Sequence, residues 1–166
     1  MPSRVQQEMS RTEQLFGLLL FIFACGTVSA FGAVITATSV GDWYQALQKP
    51  PFNPPDSVFA PVWTALYLMI AVAGWLVWRH AGLRGARIAL LLYAIQLALN
   101  LAWSWLFFGL RAPFAALVGI ALLLLASVAT AVLFWRVDRL AGLMFTPYCA
   151  WLAFAAVLNA AIWQLN

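Results

Sequence analysis

Polar and apolar positions alternate along this chain on a long scale: the fourteen charged residues leave five stretches with no charge at all, 14–41, 57–78, 88–110, 112–135 and 140–166. These stretches run for 28, 22, 23, 24 and 27 residues. A helix needs roughly 20 apolar residues to cross a hydrocarbon core of about 30 Å, because every backbone amide inside it must be paired within the segment. All five stretches are long enough. The pattern predicts an all-α, integral membrane bundle of five transmembrane helices, with spans near 14–35, 59–78, 86–107, 112–135 and 141–163 in one domain over 1–166. A transmembrane β-barrel would show short alternating segments instead.

The connections after spans two, three and four are short, so consecutive helices should be antiparallel neighbours. The long loop 36–58 differs. It holds Trp43-Tyr44 and then Lys49-Pro50-Pro51-Phe52-Asn53-Pro54-Pro55, with Pro61 at the start of span two. Proline donates no backbone hydrogen bond, fixes its own φ and pushes its predecessor toward extended geometry, which predicts a stiff, extended loop. Long, chemically distinctive loops tend to carry function, although a rigid spacer has the same signature. In span five, Pro147 leaves the Leu143 carbonyl without its helical partner and predicts a kink.

Span three has two chemically different faces. Gln96, Asn100, Trp103 and Phe107 follow one another at helical spacing. Ala94, Ala98 and Ala102 repeat every four residues on nearly the opposite side, a small-xxx-small row that suits either a homodimer seam or packing inside the bundle. Carboxamides in hydrocarbon require partners, so Gln96 and Asn100 should face inward. There they would either bind a ligand or tie helices together. Trp63 with Tyr67, and Trp151 with Ala155, Leu158 and Asn159, form further faces that can converge with Trp103. Together they outline an apolar, aromatic-lined cavity with a few polar groups, as sites for flat lipophilic ligands are built.

Composition agrees: 65% hydrophobic and 8% charged residues lie far outside the range of soluble domains. Arg4, Arg11, Arg79, Arg84, Arg87, Arg136 and Arg139 collect on one side of a five-span chain, against Lys49 and Arg111 on the other. This bias predicts a cytoplasmic N-terminus, with the segment 36–58 and the C-terminus on the opposite, periplasmic face; of the two bacterial membranes, helical spans favour the inner over the outer one. The net charge of +4 is therefore topological, and nucleic acid is not an expected partner. The first span is longer than a signal-peptide core and is preceded by acids as well as arginines. Cys25 and Cys149 lie inside spans, which gives no disulfide framework. The acids Glu8, Glu13, Asp42, Asp56 and Asp138 all fall outside the spans, so catalytic and metal-ligating residues are read as none. No span carries an ionisable group at its centre, as pumps and transporters usually do.

Four ordered segments resemble the TspO/MBR family, the tryptophan-rich sensory and translocator proteins, also called peripheral benzodiazepine receptors. They are Trp43-Tyr44-Gln45-Ala46-Leu47-Gln48-Lys49-Pro50 with Asn53-Pro54-Pro55, Ala60-Pro61-Val62-Trp63-Thr64-Ala65-Leu66-Tyr67, Gln96 to Trp103 with Phe107-Phe108-Gly109, and Pro147 to Phe154 with Leu158-Asn159. The resemblance implies a five-helix bundle, commonly a homodimer, that binds porphyrin-type tetrapyrroles such as protoporphyrin or heme, and benzodiazepine- or isoquinoline-type ligands, beneath the first loop. It requires no cofactor. The ligand-binding residues it implies are Tyr44, Pro54, Trp63, Tyr67, Asn100, Trp103, Ser104, Phe107, Trp151, Ala155 and Leu158. In that picture Asn100 and the indole nitrogens of Trp63 and Trp151 bond a ligand carbonyl or carboxylate. The implied roles are a membrane receptor or sensor that regulates tetrapyrrole transport or degradation, a light-dependent protoporphyrin-degrading enzyme, or a lipophile translocator. Two departures stand out. Ala160 and Gln164 occupy the positions of a Tyr and an Arg in the proposed cholesterol motif of animal members, and Phe52 replaces a frequent loop tryptophan.

Overall fold

The computed structural model describes residues 9–166, so Arg4 and Glu8 of the charge pattern lie outside the described residues. The chain is all helical within those bounds. Five helices are long and apolar enough to cross a membrane: Arg11–Ala37, Asp56–Gly85, Arg87–Gly109, Pro113–Val137 and Arg139–Leu165. We number the elements α1 (Arg11–Ala37), α2 (Trp43–Ala46), α3 (Asp56–Gly85), α4 (Arg87–Ser104, continued by a π-helical turn over Trp105–Gly109), α5 (Pro113–Val137), α6 (Arg139–Met144) and α7 (Thr146–Leu165). The molecule is an integral, multi-pass membrane protein.

Local chemistry sets the helix ends. Ser10 and Glu13 close a capping box at the start of α1, with Ser10 N–H donating to Glu13 Oε2 at 2.7 Å and Glu13 N–H to Ser10 Oγ at 3.2 Å. Pro113 stands in the first turn of α5, where its missing N–H has no intrahelical partner to lose. Asp138 ends α5 and caps α6, accepting from Ala141 N–H at 2.9 Å. The kink expected at Pro147 is a break at Phe145 between α6 and α7, which leaves the proline in the first turn of a new helix.

The helix that holds span two outruns it: α3 continues past residue 78 to Gly85, with a non-helical break at Gly82, φ 65°. Charged side chains mark where hydrocarbon stops, whereas backbone hydrogen bonding carries on into the interface. One sequence expectation needs correction: the loop is not extended throughout. Asp42 caps a helical turn, α2, and extended backbone begins at Leu47.

Helix α5 is central, packing against α3, α4, α6 and α7, while α1 leans on α3 and α4. Ile70, Val77, Ile120, Leu123, Phe134, Phe145, Tyr148 and Leu152 form the fully buried core. Outside it, Leu15, Phe16, Phe23, Phe31, Leu122 and Leu125 are exposed, an arrangement suited to lipid and not to water. The alanine row also points out of the bundle, since Ala94, Ala98 and Ala102 are all exposed. Its side chains are thus open on the outer face of α4 among the described residues.

Helices α1 and α3 interlock at the arginine-rich end. A Cβ on Gly17 would come within 2.1 Å of the Trp78 ring, and one on Gly74 within 2.8 Å of Phe21 and Tyr93. Trp75 Nε1 donates to the Gln14 carbonyl at 2.8 Å. His80 Nδ1 pairs with Asp138 Oδ2 at 2.7 Å, fastening α3 to the α5–α6 junction.

Candidate ligand-binding cavity

At the opposite end, residues 38–55 form a cap over the helices, and below it lies a cavity of about 420 Å³. That volume falls within the range of small-molecule sites, about 300–1,000 Å³. Ten of the eleven residues implied by resemblance border it: Tyr44, Trp63, Tyr67, Asn100, Trp103, Ser104, Phe107, Trp151, Ala155 and Leu158. Pro54 does not. Its carbonyl accepts from Asn53 Nδ2 at 3.0 Å within the cap, and Asn53 Oδ1 in turn accepts the Tyr44 hydroxyl at 3.2 Å. The prolyl segment thus acts on the cavity through Tyr44.

The walls are rings in edge or offset contact, geometries that aromatic quadrupoles favour. Trp63 lies 5.8 Å from Tyr67, Phe59 meets Trp151 at 5.9 Å, and Trp103 stacks on Phe107 at 5.7 Å. The three aromatic faces foreseen in sequence do converge. Burial pushes the Tyr44 phenol pKa upward and the Asp56 carboxylate adds to the rise, partly offset by the Asn53 hydrogen bond. Tyr44 therefore stays a neutral donor at physiological pH.

A chain of hydrogen bonds underlies the cavity. Tyr67 Oη donates to Asn100 Oδ1 at 2.8 Å, Asn100 Nδ2 to Tyr148 Oη at 2.9 Å, and Tyr148 Oη to Gln96 Oε1 at 3.0 Å. Asn100 borders the cavity, but its oxygen and one of its N–H groups are already engaged by tyrosines of α3 and α7. Gln96 is fully buried and does not border the cavity. The interhelical reading therefore accounts for the Asn100 carboxamide and for the Gln96 oxygen. Trp103 Nε1 is likewise committed, donating to Asn159 Oδ1 at 3.2 Å.

Trp151 is different. Its Nε1 is buried and has no hydrogen-bond partner, a property shared among the described residues with Gln96 Nε2 and Ser127 Oγ. Of these three residues, only Trp151 borders the cavity. An unpaired buried donor costs about 1–3 kcal/mol; Trp151 Nε1 itself has no surface open to the cavity, so a ligand acceptor recovers that cost only where the indole turns to meet it.

Several lining residues were not foreseen, among them Asp56, Phe59, Ala60, Thr64 and Ile162, and two further contributions have a clear local cause. Ser29, Gly32, Ala33 and Thr36 supply a wall from α1. Their spacing of three, one and three residues is helical, and a search for small side chains on one helix face would have found them. Phe108 also borders the cavity, beside Phe107 at 4.9 Å. The π turn explains this: Leu110 N–H reaches back five residues to the Trp105 carbonyl at 2.8 Å, and Ala112 N–H reaches Leu106 at 3.0 Å. One extra residue per turn brings consecutive side chains to the same side, and such turns recur at functional sites.

Comparison with known proteins places the sequence among relatives. The TspO/MBR family model fits residues 19–164. The chain is 40% identical to "Tryptophan-rich protein TspO" of Chlorobaculum tepidum over 161 residues, covering 93% of this chain and 98% of that protein. It is 38% identical to "Protein CrtK" of Rhodobacter capsulatus over 151 residues, covering 89% and 91%. With the human "Translocator protein" it shares 44% identity over 126 residues, 75% of each chain.

Proposed function

The chain belongs to the TspO/MBR family, and we propose that it is a membrane receptor or sensor that takes porphyrin-type tetrapyrroles and other flat lipophilic ligands into the cavity beneath its cap. Family membership and the sensory and translocator names of relatives support the receptor role. The observation that carries the ligand class is the union of an aromatic-walled void with one buried, unpartnered indole N–H, that of Trp151. Such a site accepts a planar apolar body bearing a carbonyl or carboxylate near Trp151. A tetrapyrrole propionate or a benzodiazepine carbonyl has that chemistry.

Arg79, Arg84, Arg87, Arg136 and Arg139 cluster at the end opposite the cap, which supports a cytoplasmic location for that end and a periplasmic cap in a bacterial inner membrane. The outward alanine row of α4 supports a homodimer seam at Ala94, Ala98 and Ala102. Regulation of tetrapyrrole transport or degradation would follow from occupancy of the site. The test is tryptophan quenching of the protein in lipid nanodiscs, titrated with protoporphyrin, heme and a sterol. Saturable quenching by the porphyrins supports the reading, and quenching that rises linearly with all three ligands rejects it.

A further inference from the structure

We infer that ligands reach the cavity sideways from the bilayer, through a seam between α1 and α3 lined by small side chains, and not through the cap; the inference rests on the binding function proposed above. The two helices are locked at their arginine-rich ends, where Gly17 admits the Trp78 ring and Gly74 admits Phe21. Nearer the cap that interlock is absent. The residues that border the cavity there are Ala33 and Ala37 on α1 and Ala60 and Thr64 on α3, and all four are also exposed on the outer surface. A side chain that borders an internal void and also contacts the outside stands at an opening.

The opening lies at hydrocarbon depth. Ala60 and Thr64 are four and eight residues beyond Asp56, where α3 begins, or about 6 and 12 Å along the helix axis. Both fall within the charge-free stretch 57–78. A solute arriving there comes from lipid, which favours flat ligands already partitioned into the membrane. The Thr64 hydroxyl donates to the Ala60 carbonyl at 2.8 Å and so presents little polarity to lipid.

The other routes are closed. Between α3 and α7, Phe59 meets Trp151 at 5.9 Å and Trp63 meets Tyr148 at 6.4 Å. Between α1 and α4, a Cβ on Gly32 would lie in ordinary van der Waals contact with Ser104 Oγ, at 3.6 Å, and Ser104 is buried. The cap is fastened at both ends. Ser39 Oγ donates to the Phe108 carbonyl at 2.7 Å and accepts from Arg111 Nε at 3.1 Å, while the Asn166 carboxamide holds both the N–H and the carbonyl of Gln48, at 3.0 and 3.1 Å. Asp56, at the upper rim of the opening, is held by Gln45 Nε2 at 2.8 Å.

An obstruction in a passage slows entry, and because Ala33 and Thr64 also border the cavity, a phenylalanine there acts on the bound state too, so the association rate constant is the readout. The experiment is stopped-flow indole quenching by protoporphyrin in lipid nanodiscs, on the parent chain, Ala33→Phe, Thr64→Phe and the cap variant Asn166→Ala. Each phenylalanine replaces an exposed residue on a lipid-facing surface, so at least one of the two variants should fold. We expect the association rate constant to fall about tenfold or more in the phenylalanine variants, within the range that docking constraints impose on association, and not to change in Asn166→Ala. Unchanged rates in a folded phenylalanine variant, weakened affinity with an unchanged association rate, or faster association in Asn166→Ala would each overturn the lateral route. Absence of saturable quenching in the parent chain would instead defeat the binding function itself.

Discussion

The Tyr67 hydroxyl donates to the side-chain oxygen of Asn100 at 2.8 Å, and this bond joins α3 to α4 at the boundary between the cavity and the solid core. Asn100 passes the link on to Tyr148 of α7, so one carboxamide holds three helices around the ligand space.

Asn100→Ala should therefore act mainly on stability. It leaves the Tyr67 and Tyr148 hydroxyls without a shared partner in a low-dielectric interior, at a cost of about 1–3 kcal/mol, whereas Tyr67→Phe removes one donor and should cost about 1 kcal/mol. Unfolding midpoints in detergent check the order. Equal midpoints for Asn100→Ala and the parent would show that the chain of bonds contributes nothing.

Trp151→Phe should do the opposite. The ring contact with Phe59 is largely kept while the N–H is lost, and no native hydrogen bond is broken because none exists. Stability should hold or rise slightly. Affinity for a carboxylate-bearing porphyrin should fall about tenfold, the equivalent of one hydrogen bond of about 1.4 kcal/mol. Undiminished affinity in quenching titrations would remove Trp151 from the ligand's hydrogen-bonding partners.

Glycine substitutions test the interlock of α1 and α3. Gly74→Ala drives a methyl group to within 2.8 Å of Phe21 and Tyr93 and should destabilise the bundle by about 1–3 kcal/mol through overpacking. Gly26→Ala meets nothing within 4 Å and should be neutral or slightly stabilising. Matching thermal midpoints for the two variants would contradict this packing.

The outward row of α4 yields a prediction about assembly. Ala98→Trp places a large ring on an exposed face of α4, so a monomer should tolerate it. If the row is the homodimer seam, cross-linking in membranes should fall while ligand binding persists. Cross-linking as efficient as in the parent would move the seam elsewhere.

The charge pattern made the five spans legible because an ion in hydrocarbon is costly, and apart from the C-terminal end of α3 the helix ends follow that cost to within a few residues. The inward aromatic faces were legible because α3, the main part of α4, and α7 keep regular periodicity through Trp63, Asn100, Trp103 and Trp151. Elsewhere the clues were weaker. Phe108 reaches the cavity through a π turn, which breaks the periodicity on which a face is counted. Ser29, Gly32, Ala33 and Thr36 create space by being small, and a reading that searches for chemistry passes over them. Pro54 shares its motif with true lining residues but serves Asn53, a distinction that depends on tertiary contacts.

The central claim is that ligands contact inward indoles beneath the cap, and indole-15N NMR of the protein titrated with protoporphyrin tests it most directly. Trp151 is identified by the resonance lost in Trp151→Phe, and the lipid-facing references are Trp105, Trp135 and Trp163, which are 52%, 51% and 43% exposed. The account predicts saturable shifts at Trp63 and Trp151, with the three references stationary. Saturable shifts confined to Trp105, Trp135 and Trp163 would place the ligand on the outer surface and contradict it.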